Sequence, residues 1–161
     1  MTLAERIFIG LGGNQGDAQA ALAAALSALD ALPATRVVAR SSFYISAAMD
    51  APGPDYLNAV AELRTELEPP ALLAALQSIE DAHGRTRPYT NAPRPLDLDL
   101  LLYGERVLAT PTLTLPHPRA HLRAFVLEPM AEIDAGLYLP GLGSIAPWRI
   151  AAASQALRRA A

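Results

Sequence analysis

The spacing of apolar residues along the chain changes period several times, and each change marks an element. Residues 6–11 hold an almost unbroken apolar run, Ile7, Phe8, Ile9, Gly10 and Leu11, as in a short buried strand. The glycine-rich stretch Gly12, Gly13, Asn14, Gln15 and Gly16 reads as the turn that closes it. The spacing then becomes helical. Leu22, Leu26 and Leu29 share one face, Asp17 stands where an N-cap belongs, and Pro33 stops the helix. Residues 37–44 are β-branched and aromatic enough for a second strand. Residues 47–55, with two prolines and a glycine, predict a loop. Alternation returns over residues 56–67 (Leu57, Ala59, Ala61, Leu63, Thr65, Leu67), which predicts a third strand. Pro69 and Pro70 open a helix with an apolar stripe of Leu72, Leu73, Leu76 and Ile79, ending at Gly84. An arginine- and proline-rich loop spans residues 85–95, and residues 96–103 form a fourth strand that Gly104 turns toward Val107 and Leu108. A stretch with four prolines follows (Pro111, Pro116, Pro118 and Pro129), with a short helix at or beside Pro129. Residues 144–159 predict a helical tail that tolerates Pro147 in its first turn.

Strand, helix, strand, strand, helix, strand is the split βαβ order. It predicts an α+β, ferredoxin-like βαββαβ core, an antiparallel sheet with helices packed on one face, plus C-terminal additions. Nothing divides the 161 residues, so one domain, 1–161, is expected. The same order serves many unrelated proteins, so it predicts architecture and leaves activity open.

Composition narrows the chemistry. The chain is 52% hydrophobic and 18% charged, as a globular protein is, and without cysteine it has no disulfide and no thiolate metal site. Its net charge of −3 and lack of a basic run argue against a nucleic-acid partner. The Ala/Leu stretch at residues 18–32 is broken by Gln19, Ser27 and Asp30 and is too short to span a membrane. No targeting segment is recognisable, and a cytoplasmic monomer is the expectation. All 13 basic residues are arginine, so a Walker A loop is excluded, and any phosphate clamp consists of guanidinium forks.

The strongest chemical signal is the run Pro93-Arg94-Pro95-Leu96-Asp97-Leu98-Asp99-Leu100-Leu101-Leu102. With Leu96, Leu98, Leu100 and Leu102 toward the core, Asp97 and Asp99 share the opposite face, their Cα atoms ~6.5–7 Å apart. Two readings stand: a solvated strand face, or an acidic ledge for hard divalent cations. Arg85, Arg87 and Arg94 lie just upstream, either as salt-bridge partners or as the far side of a polyphosphate held between metal and guanidinium. His117 and His121 have i, i+4 spacing, but flanking prolines and the lack of an H-E-x-x-H pattern argue against zinc.

The run from Arg94 to Leu102 resembles the signature of the hydroxymethyldihydropterin pyrophosphokinases. The stretch at 10–16 is similar to that family's first loop, Ser41-Ser42-Phe43-Tyr44 to its second strand, and Asp55-Tyr56-Leu57-Asn58-Ala59 to the start of its third. Ile79-Glu80 and Gly84-Arg85-Thr86-Arg87 resemble its second helix end and third loop, and Pro116-His117-Pro118-Arg119 and Arg123-Ala124-Phe125-Val126-Leu127 its later nucleotide-side segment. The resemblance implies pyrophosphate transfer from ATP to the hydroxymethyl group of 6-hydroxymethyl-7,8-dihydropterin, giving AMP, in folate synthesis. It implies two magnesium ions on Asp97 and Asp99, with Arg85 and Arg94 on the phosphates as the remaining catalytic pair. Gln77, Glu80, Arg87, His117 and Arg123 join Arg85 and Arg94 on ATP. Ser46, Ala47, Met49, Tyr56, Asn58 and Phe125, with Asp97, take the pterin. Two departures stand out: Asn91-Ala92 replaces the family's frequent Trp-Gly, and Pro118 takes a place where some relatives have tyrosine.

Overall fold

The computed structural model describes residues 5–14, 16–47, 55–83 and 96–160. The elements in chain order are β1 (Ile7–Gly13), α1 (Ala18–Asp30), β2 (Thr35–Arg40), β3 (Tyr44–Ser46), β4 (Tyr56–Thr65), α2 (Pro69–Ala82) and β5 (Asp97–Tyr103). They continue with β6 (Leu108–Ala109), β7 (Thr114–Leu115), a 3-10 turn (Ala120–Leu122), α3 (Ala124–Ile133), β8 (Tyr138–Leu139), β9 (Gly143–Ser144), α4 (Ile145–Ala151) and β10 (Leu157–Arg159). Asp17 caps α1 as its position predicts, its carboxylate accepting the Ala20 N–H at 3.0 Å. Gly104 turns the chain after β5 at φ +57.

Among the described residues the main sheet runs β10-β3-β4-β1-β5, with β2 also paired to β4, and every pairing is antiparallel. Both faces of this sheet are covered. One carries Ile7, Ile9, Leu11, Ala59, Ala61, Leu63, Leu98 and Leu100 against Leu22, Leu26 and Leu29 of α1 and Leu72, Leu76 and Ile79 of α2. The other carries Phe8, Val60 and Leu102 against Val126, Leu127 and Met130 of α3 and Ile145 of α4. Both helices of the βαββαβ core, α1 and α2, thus lie on one face as expected, and the C-terminal additions cover the other. The second layer comes from residues 120–152, which include the short helix expected at Pro129 and the start of the expected helical tail. Burial from Asn58 through Leu63 without a break follows directly, because both faces of β4 lie under helices.

Four boundaries differ from the pattern. β1 continues through Gly12 and Gly13 instead of turning there, since ladders on both its sides hold the backbone extended. The second strand breaks into β2 and β3. Between them Ser41 keeps contact with β4, donating its N–H to Val60 O and accepting the Val60 N–H on its Oγ, both at 2.9 Å. In β5 the register shifts between Phe8 and Ile9 of its partner, so Leu101 and Leu102 both enter the α3-side core instead of Leu102 following Leu100. The tail is helical only over Ile145–Ala151. Leu157–Arg159, predicted as helix, pairs with β3 because a free strand edge offers ladder bonds that helix propensity alone does not outweigh.

Candidate functional site

From Ile9 to Gly13, β1 turns Ile9 and Leu11 toward α1 and α2 and leaves only hydrogens, at Gly10 and Gly12, on the α3 side. Register places Asp97 opposite Gly12 and Asp99 opposite Gly10. On the other side of β1, Gly12 lies opposite Asn58, which in turn faces Tyr44. Opposed residues in an antiparallel pair share a face. A row Asp97, Gly12, Asn58, Tyr44 therefore crosses the sheet with no side chain between the carboxylate and the amide. The two aspartates alternate with buried Leu96, Leu98 and Leu100, as the strand periodicity predicts, and are themselves half-buried.

Asn58 is buried, and its Nδ2 donates to Ser46 Oγ at 2.8 Å, which fixes the amide beside the glycine floor. A Cβ at Gly12 would lie 3.4 Å from Asn58 Oδ1. Tyr56, opposite Ser46, is half-buried, and Ala47 is exposed just past β3. Above this face, His117 donates its backbone N–H to Leu101 O at 2.9 Å, which anchors the proline-flanked segment to β5. Burial, with the Arg123 guanidinium adding to it, holds the His117 imidazole below its ordinary range, and Asp97 is near enough to oppose that shift. His117 Nδ1 accepts the Arg119 N–H at 3.1 Å, so the neutral ring presents Nε2–H as a donor. Arg123 stacks over the ring of half-buried Phe125 at 5.4 Å.

Glu80 and Gln77 approach from α2, on the opposite layer. Gln77 is exposed, whereas Glu80 is buried and its Oε2 accepts the Leu98 N–H at 2.8 Å. Among the described residues β5 is an edge strand of the sheet, so this N–H points away from β1, and Glu80 closes the edge between the two aspartates. Arg85, Arg87, Arg94 and Met49, and the departure at Asn91-Ala92, lie outside the described residues. Among the described residues no group of three or more histidine or acidic side chains could hold a metal ion. Sequence reasoning placed Gly10 in the first strand and Gly12 in the turn after it, and missed both as the floor of the site. Alternate glycines inside an apolar strand are themselves the signal of a close approach.

The model of the family described as 7,8-dihydro-6-hydroxymethylpterin-pyrophosphokinase (HPPK) matches residues 8–135. A 2-amino-4-hydroxy-6-hydroxymethyldihydropteridine pyrophosphokinase of Pseudomonas aeruginosa is 45% identical over 137 residues, covering 84% of this chain and 85% of that one. Its namesake from Haemophilus influenzae is 45% identical over 134 residues, 83% of this chain and 84% of that one. A crystal structure of HPPK-DHPS in complex with substrates superposes at a TM-score of 0.71 with 11% identity, over 93% of this chain and 43% of the other. Plasmodium falciparum HPPK-DHPS with pteroate gives 0.73 at 10% identity, over 94% and 45%. The chain thus spans under half the length of those two solved structures, and their likeness concerns the fold.

Proposed function

The chain belongs to the 7,8-dihydro-6-hydroxymethylpterin-pyrophosphokinase family, and on that premise we infer that it transfers pyrophosphate from ATP to the hydroxymethyl group of 6-hydroxymethyl-7,8-dihydropterin. The substrate hydroxyl oxygen attacks the β-phosphorus, the bond from that phosphorus to the α,β-bridging oxygen breaks, AMP leaves with that oxygen, and the hydroxyl proton passes to solvent. No protein nucleophile takes part, so the protein's contribution is position and charge.

The observation that carries this reading is the row Asp97, Gly12, Asn58, in which a bare floor separates a carboxylate from a fixed amide. A flat heterocycle fits such a floor, with its polar edge toward Asn58 and its hydroxymethyl arm toward the aspartates. Two hard oxygen donors on one strand face suit magnesium, which takes one or two carboxylates and leaves its other positions to water and phosphate. Asp97 and Asp99 would hold it, and it would neutralise charge on the phosphates. Glu80 fixes the strand segment between the two aspartates. Neutral His117 offers Nε2–H, and Arg123 a fixed positive charge, to the nucleotide side. Tyr56 and Phe125 supply ring faces for the pterin. Arg85 and Arg94 complete the phosphate contacts in this proposal.

The test is nucleotide product analysis with ATP, magnesium and the dihydropterin alcohol. AMP together with a pterin diphosphate is expected. ADP would indicate a phosphokinase acting on another alcohol, and no turnover with tight RNA binding would indicate a binding module.

A further inference from the structure

Helix α3 begins without a cap of its own. Arg123 occupies the N-cap position and its side chain makes no capping bond. The Ala124 N–H, one of the helix's orphan donors, is instead accepted by Gln155 Oε1 at 2.9 Å. The same amide donates from Nε2 to Leu122 O at 2.8 Å. One side chain, 31 residues away in sequence from Ala124, thus bonds the backbone on both sides of Arg123. Gln155 is itself held, since its N–H donates to Ala152 O at 3.0 Å in the turn after α4. Two residues later the chain enters β10, where Leu157 lies opposite Ser46, the hydroxyl that receives the Asn58 amide. Gln155 lies beyond residues 8–135, the segment that matches the family.

We propose that Gln155 is a positioning residue that fixes the direction of Arg123 and Phe125 over the site, so that the tail outside the family segment sets substrate affinity. The proposal rests on the pyrophosphokinase reading for the roles of Arg123 and Phe125. The bracket itself does not. The two bonds tie down the backbone on either side of Arg123, whose guanidinium lies 5.4 Å from the Phe125 ring. Without them α3 keeps its buried face, Val126, Leu127 and Met130, and only its first turn loosens.

Two variants test this: Gln155→Met, which keeps length and removes both bonds, and Gln155→Glu, which keeps the acceptor for Ala124. In Gln155→Met the KM values for ATP and pterin should each rise about five- to tenfold, as for a lost neutral hydrogen bond. Its kcat should change far less, and its thermal midpoint little. Amide exchange should quicken at Ala124 and not in β1 or β4. Gln155→Glu should restore the Ala124 protection and much of the affinity. A Gln155→Met protein with unchanged KM values and a lower midpoint would overturn the proposal in favour of a purely stabilising contact. Unchanged exchange at Ala124 would overturn it whether or not the wild-type protein releases AMP. Absence of AMP release from the wild type would instead sink the functional reading and leave the bracket to the exchange arm.

Discussion

A methyl group at Gly12 would stand 3.4 Å from Asn58 Oδ1, on the face where the pterin is proposed to lie. Gly12→Ala should therefore weaken pterin binding about fivefold or more while ATP binding changes little, because only the ring-side floor is filled. Calorimetry with each ligand separates the two, and equal losses would point to a damaged sheet. Asp97→Ala and Asp99→Ala should each lower turnover by orders of magnitude at saturating magnesium and leave the fold intact, since both alternate with the leucines that face the core. A variant keeping more than about a tenth of the rate would remove its carboxylate from the mechanism, a tenfold change being only ~1.4 kcal/mol. At His117 the shift has a direction and hence a sign. The folded ring resists protonation, so the unfolded chain binds more protons below the ordinary value of 6.5. Its contribution to stability is present above that value and is lost as pH falls through the lower folded one. In a pH profile of kcat/KM the His117 limb should lie below pH 6.5 and vanish in His117→Gln.

At the scale of elements, the short strands β3 and β10 are held by something other than their length. Glu132, near the end of α3, accepts the Ser42 N–H at 3.0 Å, the Ser42 hydroxyl at 2.8 Å and the Tyr44 hydroxyl at 2.7 Å. Arg159 of β10 approaches the same carboxylate at 3.7 Å. One side chain thus joins the α3 layer to the edge that carries Ser46. Glu132→Ala should cost about 1–2 kcal/mol, discounted because the carboxylate is partly in water. Urea unfolding would read that loss, and pterin affinity should fall with it. A loss of stability with pterin affinity unchanged would show that β3 is positioned by β4 alone. The bulge in β5 has a comparable effect on faces. It lets Leu98 and Leu100 serve the α1 and α2 layer and Leu101 and Leu102 the α3 layer within one strand, while Asp97 and Asp99 stay on the face opposite α1 and α2.

Across the molecule, carboxylates pair with arginines between elements distant in sequence. Arg6 reaches Glu62 of β4 at 2.9 Å and Asp134 past α3 at 2.7 Å, and Glu62 also takes Arg64 at 2.6 Å. Arg149 of α4 holds Glu128 of α3 at 2.8 Å. Hydrogen bonds from these arginines keep the Glu62, Glu128 and Asp134 carboxyls below their ordinary range. The stability they supply is full above pH ~4.5 and is lost as the pH falls through the lowered folded values. Arg6→Met leaves buried Glu62 with one partner and should cost about 2 kcal/mol, less than for a fully buried pair because Arg6 is partly in water. Its acid-unfolding midpoint should move to higher pH, followed by circular dichroism. An unchanged acid midpoint would mean that Arg64 alone suffices for Glu62.

What the sequence by itself determined is whatever depends on neighbours in the chain. The leucine stripes of α1 and α2, the Asp17 cap, the Gly104 turn and the alternation that sends Asp97 and Asp99 to one face are all local, so period and capping chemistry disclose them. The acidic pair in its signature run was legible for the same reason, and with it the family. Tertiary structure decided the rest, because it depends on which strands meet. Gly12 reads as a turn residue until β4 and β5 pair on its two sides and set Asn58 and Asp97 opposite it. Leu157–Arg159 reads as helix until the β3 edge offers it a partner. The second apolar layer was hidden because a proline-rich stretch carries no steady period, and its residues share a core only after the chain folds back over the sheet. Gln155 belongs to that class as well: no local pattern joins it to Arg123, and only the return of the tail past α3 brings its amide to both neighbours of that arginine.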